Sequence, residues 1–176
     1  GFALRLWPGF AEKAGAIAEC ARYVYEKHGL TPVFIPINHK NDSDAAQTVA
    51  ALIPDVPHVL MPGPLPSALA IGVLGRMEIA VSMRLHGLIF AAGQGTPVVG
   101  VSYDPKVTAF LRCIDGECDD LPNATGETLC ALAGRALAKR ADPEALRESV
   151  RRLRELEGRN TAAAAGLLGK EVVGNG

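Results

Sequence analysis

The segment VSMRLHGLIFAAGQGTPVVGVSYDPKV, from Val81 to Val107, is apolar almost throughout, yet it carries Arg84, His86, Asp104 and Lys106. An imidazole titrates near neutrality, so His86 can give or take a proton in ordinary conditions. Arg84 can grip a phosphate or carboxylate through two parallel N–H bonds, and Lys106 adds a second positive charge. The turns RLHG and DPK each open a helix pattern, and a helix start offers unpaired N–H groups and a partial positive charge. The set suits an anion, with His86 available as acid or base. Gly87 leaves room for a ligand to come close. Each residue also has a plainer role open to it: a first-turn histidine can simply be packed, an arginine at a strand end can be solvated, and Asp104 can be a helix cap.

These groups need elements that bring them together, and the chain supplies an alternation. Phe2–Trp7 (FALRLW) reads as a strand stopped by Pro8-Gly9, and the helical pattern after it ends at Gly29. TPVFIPIN is a second strand, and DSDAAQTVAALI is a helix with Asp42 or Ser43 as its cap. HVLMPG, EIAVSM and PVVGVSY are further strands, separated by the helices LPSALAIGVLGRM and RLHGLIFAAGQG. DPKVTAFLRCI has Asp104 as cap and Pro105 at the first helical position. DDLPNATG is a loop, and two helices follow, the last opened by Asp142-Pro143. Continuously apolar strands alternating with helices predict an α/β fold: a Rossmann-like parallel sheet covered on both faces. Residues 1–172 form one domain and 173–176 a frayed tail. Ligands of such sheets bind beyond the carboxyl ends of the strands. Two adjacent strand exits would bring Arg84, His86, Tyr103, Asp104 and Lys106 to one rim, with Arg5 near the exit of the first strand and His39 near that of the second.

The 176 residues suffice for one domain with a substantial core; 48% are hydrophobic and 21% charged. A formal net charge of -1 argues against a nucleic-acid partner. No apolar run approaches the roughly 18–20 residues of a membrane span. Cys20, Cys113, Cys118 and Cys130 form no C-x-x-C pair and have no histidine at zinc-ligand spacing. They read as reduced thiols of a cytoplasmic protein, with a Cys113–Cys118 bridge as the alternative. No metal site is expected. The start GFALRLWPGF has neither an initiator Met nor a leader, and reads as part of a larger protein cut at a linker. No dinucleotide fingerprint, phosphate-binding P-loop or nucleophile elbow is present.

From Ser82 to Lys106 the sequence resembles the polysaccharide pyruvyl transferase family: a strand, an R-x-H turn, an IFAA-type helix, a Gly-x-Pro-Val strand and a Tyr-Asp-Pro-Lys turn. LRLWPGF and FIPINHKNDSD support it, and the likeness runs over about residues 2 to 115. Gly87 and Gln94 stand where small or apolar residues are expected of the family. The resemblance implies the C-terminal half of a GT-B-type, two-domain transferase, with an N-terminal domain missing here along with acceptor-binding groups. It implies transfer of a pyruvyl group from phosphoenolpyruvate to a sugar of a cell-surface polysaccharide, forming a pyruvate ketal. His86 would be the acid that protonates the enol carbon, or else a phosphate ligand. Arg84 and Lys106 would hold the donor, which carries about three negative charges; Arg5, Tyr103, Asp104 and Ser82 complete the substrate-binding set. Beyond the donor no cofactor is implied. The partners would be an acceptor sugar, with a lipid-linked one at the inner face of the membrane as an option, and a second copy of the chain as another. Two rivals share the architecture: a sugar-nucleotide glycosyltransferase or epimerase, and a non-catalytic module that binds an anion.

Overall fold

Burial on both faces decides the sheet. Phe2, Leu4, Phe34, Val81, Met83, Val99 and Val101 join one core cluster, while Ile35, Ala80 and Val98 join a second. Neighbouring strand residues such as Ala80 and Val81 therefore point to opposite sides, as the pleat requires, and each side must be roofed by helices. A computed structural model describes residues 1–63 and 65–167 of the chain. The elements are β1 (Phe2–Ala3), α1 (Phe10–His28), β2 (Val33–Phe34), α2 (His39–Ala50), β3 (Val59–Leu60), α3 (Ser67–Leu74) and β4 (Ala80–Ser82). Then come α4 (Leu85–Gly93), β5 (Val98–Ser102), α5 (Pro105–Cys113), β6 (Glu117–Asp120), α6 (Gly126–Arg140) and α7 (Pro143–Leu167).

All strand pairs are parallel, in the order β3-β2-β1-β4-β5-β6, with Phe2 beside Phe34 and Val81, and Val81 beside Val99. Helices α1, α2 and α6 cover one face; α3, α4 and α5 cover the other. The strand order reverses between β1 and β4. There the chain leaves β1 toward α1 and β4 toward α4, on opposite faces, so a crevice opens beyond their carboxyl ends. This is a Rossmann-like α/β fold, a parallel sheet with helices on both faces.

Three local features depart from the sequence-based expectation. First, β1 is short, because the chain bends after Ala3 and Leu6 N–H donates to the Asn41 carbonyl at 3.2 Å. Second, α2 begins at His39, ahead of the expected cap. Asp42 lies inside its first turn, where its carboxylate accepts the N–H groups of Ile37 (3.0 Å) and Asn38 (2.6 Å). Third, residues 117–120 (ECDD) form β6, an edge strand, in a stretch where no strand was expected. All four cysteines are free, so the Cys113–Cys118 bridge does not form. The expected frayed tail, residues 173–176, lies outside the described residues.

Close packing holds the turns at the strand exits. A Cβ on Gly100 would come within 2.2 Å of Leu111, so the absent side chain lets α5 lie against β5. Asp104 caps α5 by accepting the Lys106 N–H at 3.0 Å, with Pro105 in the first helical turn as expected. Among the described residues no helix is long and apolar enough to cross a membrane.

Candidate functional site

The β4–α4 turn is built around Ser82. Its buried hydroxyl accepts the Arg84 N–H at 3.0 Å and shares its proton between the carbonyls of Arg84 (2.9 Å) and Ala3 (3.2 Å). That bonding uses the hydroxyl proton and one lone pair, leaves the group fully buried, and ties β4 to β1. Ser82 therefore shapes the rim and does not face a ligand, contrary to expectation. Gly87 is corrected likewise. A Cβ there would meet Ser82 Oγ at 2.6 Å and the Ala3 Cβ at 3.1 Å, so its room is taken by helix–strand packing rather than offered to a ligand.

Arg84 stands just ahead of α4 in extended conformation. Its Nε donates to both carboxylate oxygens of Asp42, at 2.9 and 3.1 Å, and Nη2 also contacts Oδ1. The Asp42 side chain is 0% exposed and that of Arg84 13%. An ion pair so deeply withdrawn from water is costly to open, since either charge alone would be stranded. Most of the Arg84 fork is thus committed to Asp42, a partner that sequence reasoning treated only as a helix cap.

Arg5 sits beyond β1. One guanidinium nitrogen donates to the Tyr103 hydroxyl at 2.7 Å, and its central carbon lies 5.1 Å from the Trp7 ring and 5.4 Å from the Tyr103 ring. Those two rings pack at 4.4 Å. Arg5 Nε is buried without a hydrogen-bond partner among the described residues. The aromatic contacts hold the cation without neutralising it. Lys106, at the start of α5, is exposed and pairs with Asp104 at 3.1 Å. The Lys106 backbone N–H, and then its side chain, hold the Asp104 carboxyl below the usual carboxylate range. His86 lies in the first turn of α4, exposed, with its ring 6.0 Å from that of Phe90.

Arg5, Arg84, His86, Tyr103 and Lys106 all line one cleft of about 550 Å³, which Asn38 and Ser67 also border. Asp104 lines a separate cleft of about 960 Å³ on the other side of Tyr103, together with Trp7. The His39 side chain lies outside the described ones; His58 binds the Val56 carbonyl at 2.8 Å, and His28 lies at the surface beside Tyr23. Trp7 escaped sequence reasoning, although it stands at the exit of the first strand, where the rim argument applies to it as much as to Arg5.

The cleft joins cationic groups, an imidazole and the starts of α2, α3, α4 and α5, an arrangement that can hold a small anion and exchange a proton with it. The family model for polysaccharide pyruvyl transferase matches residues 4–105, which take in Arg5, Asp42, Arg84, His86 and Tyr103 and stop one residue before Lys106. Among solved structures, the glycotransferase of kitacinnamycin is 17% identical with a TM-score of 0.62, over 95% of this chain and 41% of that one. CalG4, the calicheamicin glycosyltransferase, is 16% identical with a TM-score of 0.54, over 94% of this chain and 42% of its own. The chain thus spans less than half of either, and the likeness concerns the fold. No curated protein matches the chain.

Proposed function

The chain belongs to the polysaccharide pyruvyl transferase family, and on that premise we propose that it is the C-terminal, donor-binding half of an enzyme that transfers a pyruvyl group from phosphoenolpyruvate to a sugar, forming a ketal. The observation that carries this reading is the meeting of Arg5, His86 and Lys106 in one cleft. Arg5 and Lys106 face the carboxylate and phosphate of the donor, and Arg84, fixed by Asp42, presents its remaining edge. The imidazolium of His86 protonates the methylene carbon of the enol, which becomes a methyl group. One sugar hydroxyl adds to the adjacent carbon and returns a proton to His86. The carbon–oxygen bond to phosphate breaks, the second hydroxyl closes the ketal, and its proton leaves with inorganic phosphate. Fixed cations beside the departing phosphate stabilise charge where it develops. The acceptor is a sugar of a cell-surface polysaccharide, offered from the cytoplasmic side.

The two solved glycosyltransferases favour a second reading, in which the cleft takes the diphosphate of a sugar nucleotide. Thermal denaturation separates the two. Phosphoenolpyruvate at about a hundred times its dissociation constant should stabilise the chain by about 2.7 kcal/mol, or roughly 5–10 °C. Lys106→Ala should abolish that shift, and a sugar nucleotide should give none. In the enzyme joined to its N-terminal half, His86→Ala should lower kcat by about 10²- to 10⁴-fold. A shift with sugar nucleotides alone would replace the donor reading by the rival one. Unchanged turnover in His86→Ala would remove the histidine from the chemistry.

A further inference from the structure

We propose that the larger cleft, on the far side of Tyr103, is a binding site for an uncharged sugar ring. This inference takes the donor reading of the neighbouring cleft as its premise, and it places one sugar of the acceptor on this half, in addition to the acceptor-binding groups implied for the other half. The larger cleft measures about 960 Å³ and runs between the exits of β1, β5 and β6. Its side chains differ in kind from those across Tyr103. Lys13 and Arg112 are matched by Glu12 and Asp120, while the remaining carboxylate, Asp104, is already paired with Lys106. The charges nearly cancel, so a phosphate or nucleotide gains nothing here.

An apolar ligand fits no better. The side chains of Glu12, Arg112, Asp120 and Asn123 make no hydrogen bond or ion pair among the described residues. Covering them with hydrocarbon would strand them away from water. What they match is a ligand whose every edge both donates and accepts. The carboxylates of Asp120 and Glu12 accept from hydroxyl groups, Arg112 donates to them, and the Asn123 amide does both. At the wall, the Trp7 indole is 40% exposed and is backed by the Tyr103 ring at 4.4 Å. A supported aromatic face beside unpaired carboxylate and amide groups suits a pyranose, with its C–H face on the ring and its hydroxyls on the polar rim. Tyr103 borders both clefts, so a sugar in one and a small anion in the other are separated by the breadth of one side chain.

The probes are methyl glycosides of glucose, galactose and mannose. Two readouts are independent: saturation transfer from protein to sugar protons, and the fluorescence of Trp7, the single tryptophan of the chain. At least one glycoside should bind. Asp120→Asn and Asn123→Ala, both at exposed positions that leave the core intact, should each weaken it by about tenfold. Lys106→Ala should leave it within about twofold, and phosphoenolpyruvate binding should show the reverse dependence. Phosphoenolpyruvate bound and no glycoside bound overturns the sugar site and leaves the donor reading standing. Glycoside binding that follows Asp120 and Asn123 without any binding of phosphoenolpyruvate upholds the sugar site and removes the donor reading. Glycoside binding that depends on Lys106 and ignores Asp120, or inorganic phosphate bound through Arg112, also overturns the proposal.

Discussion

Replacing Asp42 by alanine removes the carboxylate that neutralises Arg84 and ties down the start of α2. Its side chain is 0% exposed, that of Arg84 is 13% exposed, and the carboxylate also accepts two backbone N–H groups. Breaking a buried pair on one side usually costs about 3–5 kcal/mol. The stranded guanidinium borders the cleft and can recover some water there. Ile37 is half-buried and Asn38 exposed, which leaves room for water to replace part of what their N–H groups lose. We therefore expect the lower part of that range, about 3 kcal/mol, from a total of about 5–15 kcal/mol for an ordinary domain. Urea denaturation reads this directly: at a slope of about 1–3 kcal/mol per molar, the midpoint falls by 1 M or more. Arg84→Met serves as the second arm of a double-mutant cycle. Once the arginine is gone, losing Asp42 should matter less, with about 1–3 kcal/mol of coupling between the two positions. A loss below about 1 kcal/mol in Asp42→Ala, or strictly additive effects, would refute the claim that this pair organises the rim.

Two further outcomes follow from the packing. Gly87→Ala places a methyl group 2.6 Å from Ser82 Oγ and 3.1 Å from the Ala3 Cβ, so α4 must move off β4. The expected cost is about 1–3 kcal/mol by denaturant unfolding, and on the proposed donor reading phosphoenolpyruvate binding weakens too, because His86 moves with the same helical turn. Burial pushes the Cys20 thiol up to about 12 from an ordinary 9.0. The folded state thus keeps a proton that the unfolded state releases. The corresponding stability is fully present below pH 9 and is lost as pH rises toward 12, at about 1.4 kcal/mol per pH unit for this one group. Cys20→Ala should flatten that alkaline slope in denaturation measured at several pH values; an unchanged slope would assign it to other groups.

Much of this architecture was legible because it rests on local signals. The apolar runs around Val81 and Val99, the Asp104-Pro105 start of α5 and the Gly29 end of α1 are each decided within a few residues of chain. Strand β6 was not legible. Glu117, Cys118, Asp119 and Asp120 show no apolar alternation, and they form a strand because β5 offers them a free ladder edge. Charges suit such an edge, since they discourage further pairing. Glu117 is in turn held by Arg135 at 2.9 Å and Lys139 at 2.8 Å, both on α6. The rim followed from the strand exits, and Arg5, Arg84, His86, Tyr103 and Lys106 do meet there. What stayed hidden was the partner of Arg84, which lies 42 residues earlier in the chain. A pairing across that span is fixed by the sheet order and by no local pattern. The same holds for Gly87 and Ser82, whose neighbours across the turn belong to β1.

The cations of the smaller cleft are held in different ways, and the difference bears on how an anion could be held. Asp42 and Arg84 are locked together out of water, so an incoming phosphate cannot displace the carboxylate without stranding it. Asp104 and Lys106 are instead 30% and 59% exposed, and their pairing is the weak surface kind that an approaching anion can replace. Lys106 can leave Asp104 for a ligand at little cost, while Asp104 keeps the backbone N–H it caps. Arg5 needs no such exchange, because aromatic rings rather than a carboxylate surround it. The positive charge available to an anion therefore comes from Arg5 and Lys106, which line the cleft together with Tyr103, Arg5 being tied to the Tyr103 hydroxyl. Arg84 acts on them at one remove: with Asp42 it braces the β4–α4 turn against α2, which keeps His86 facing the space those two cations enclose.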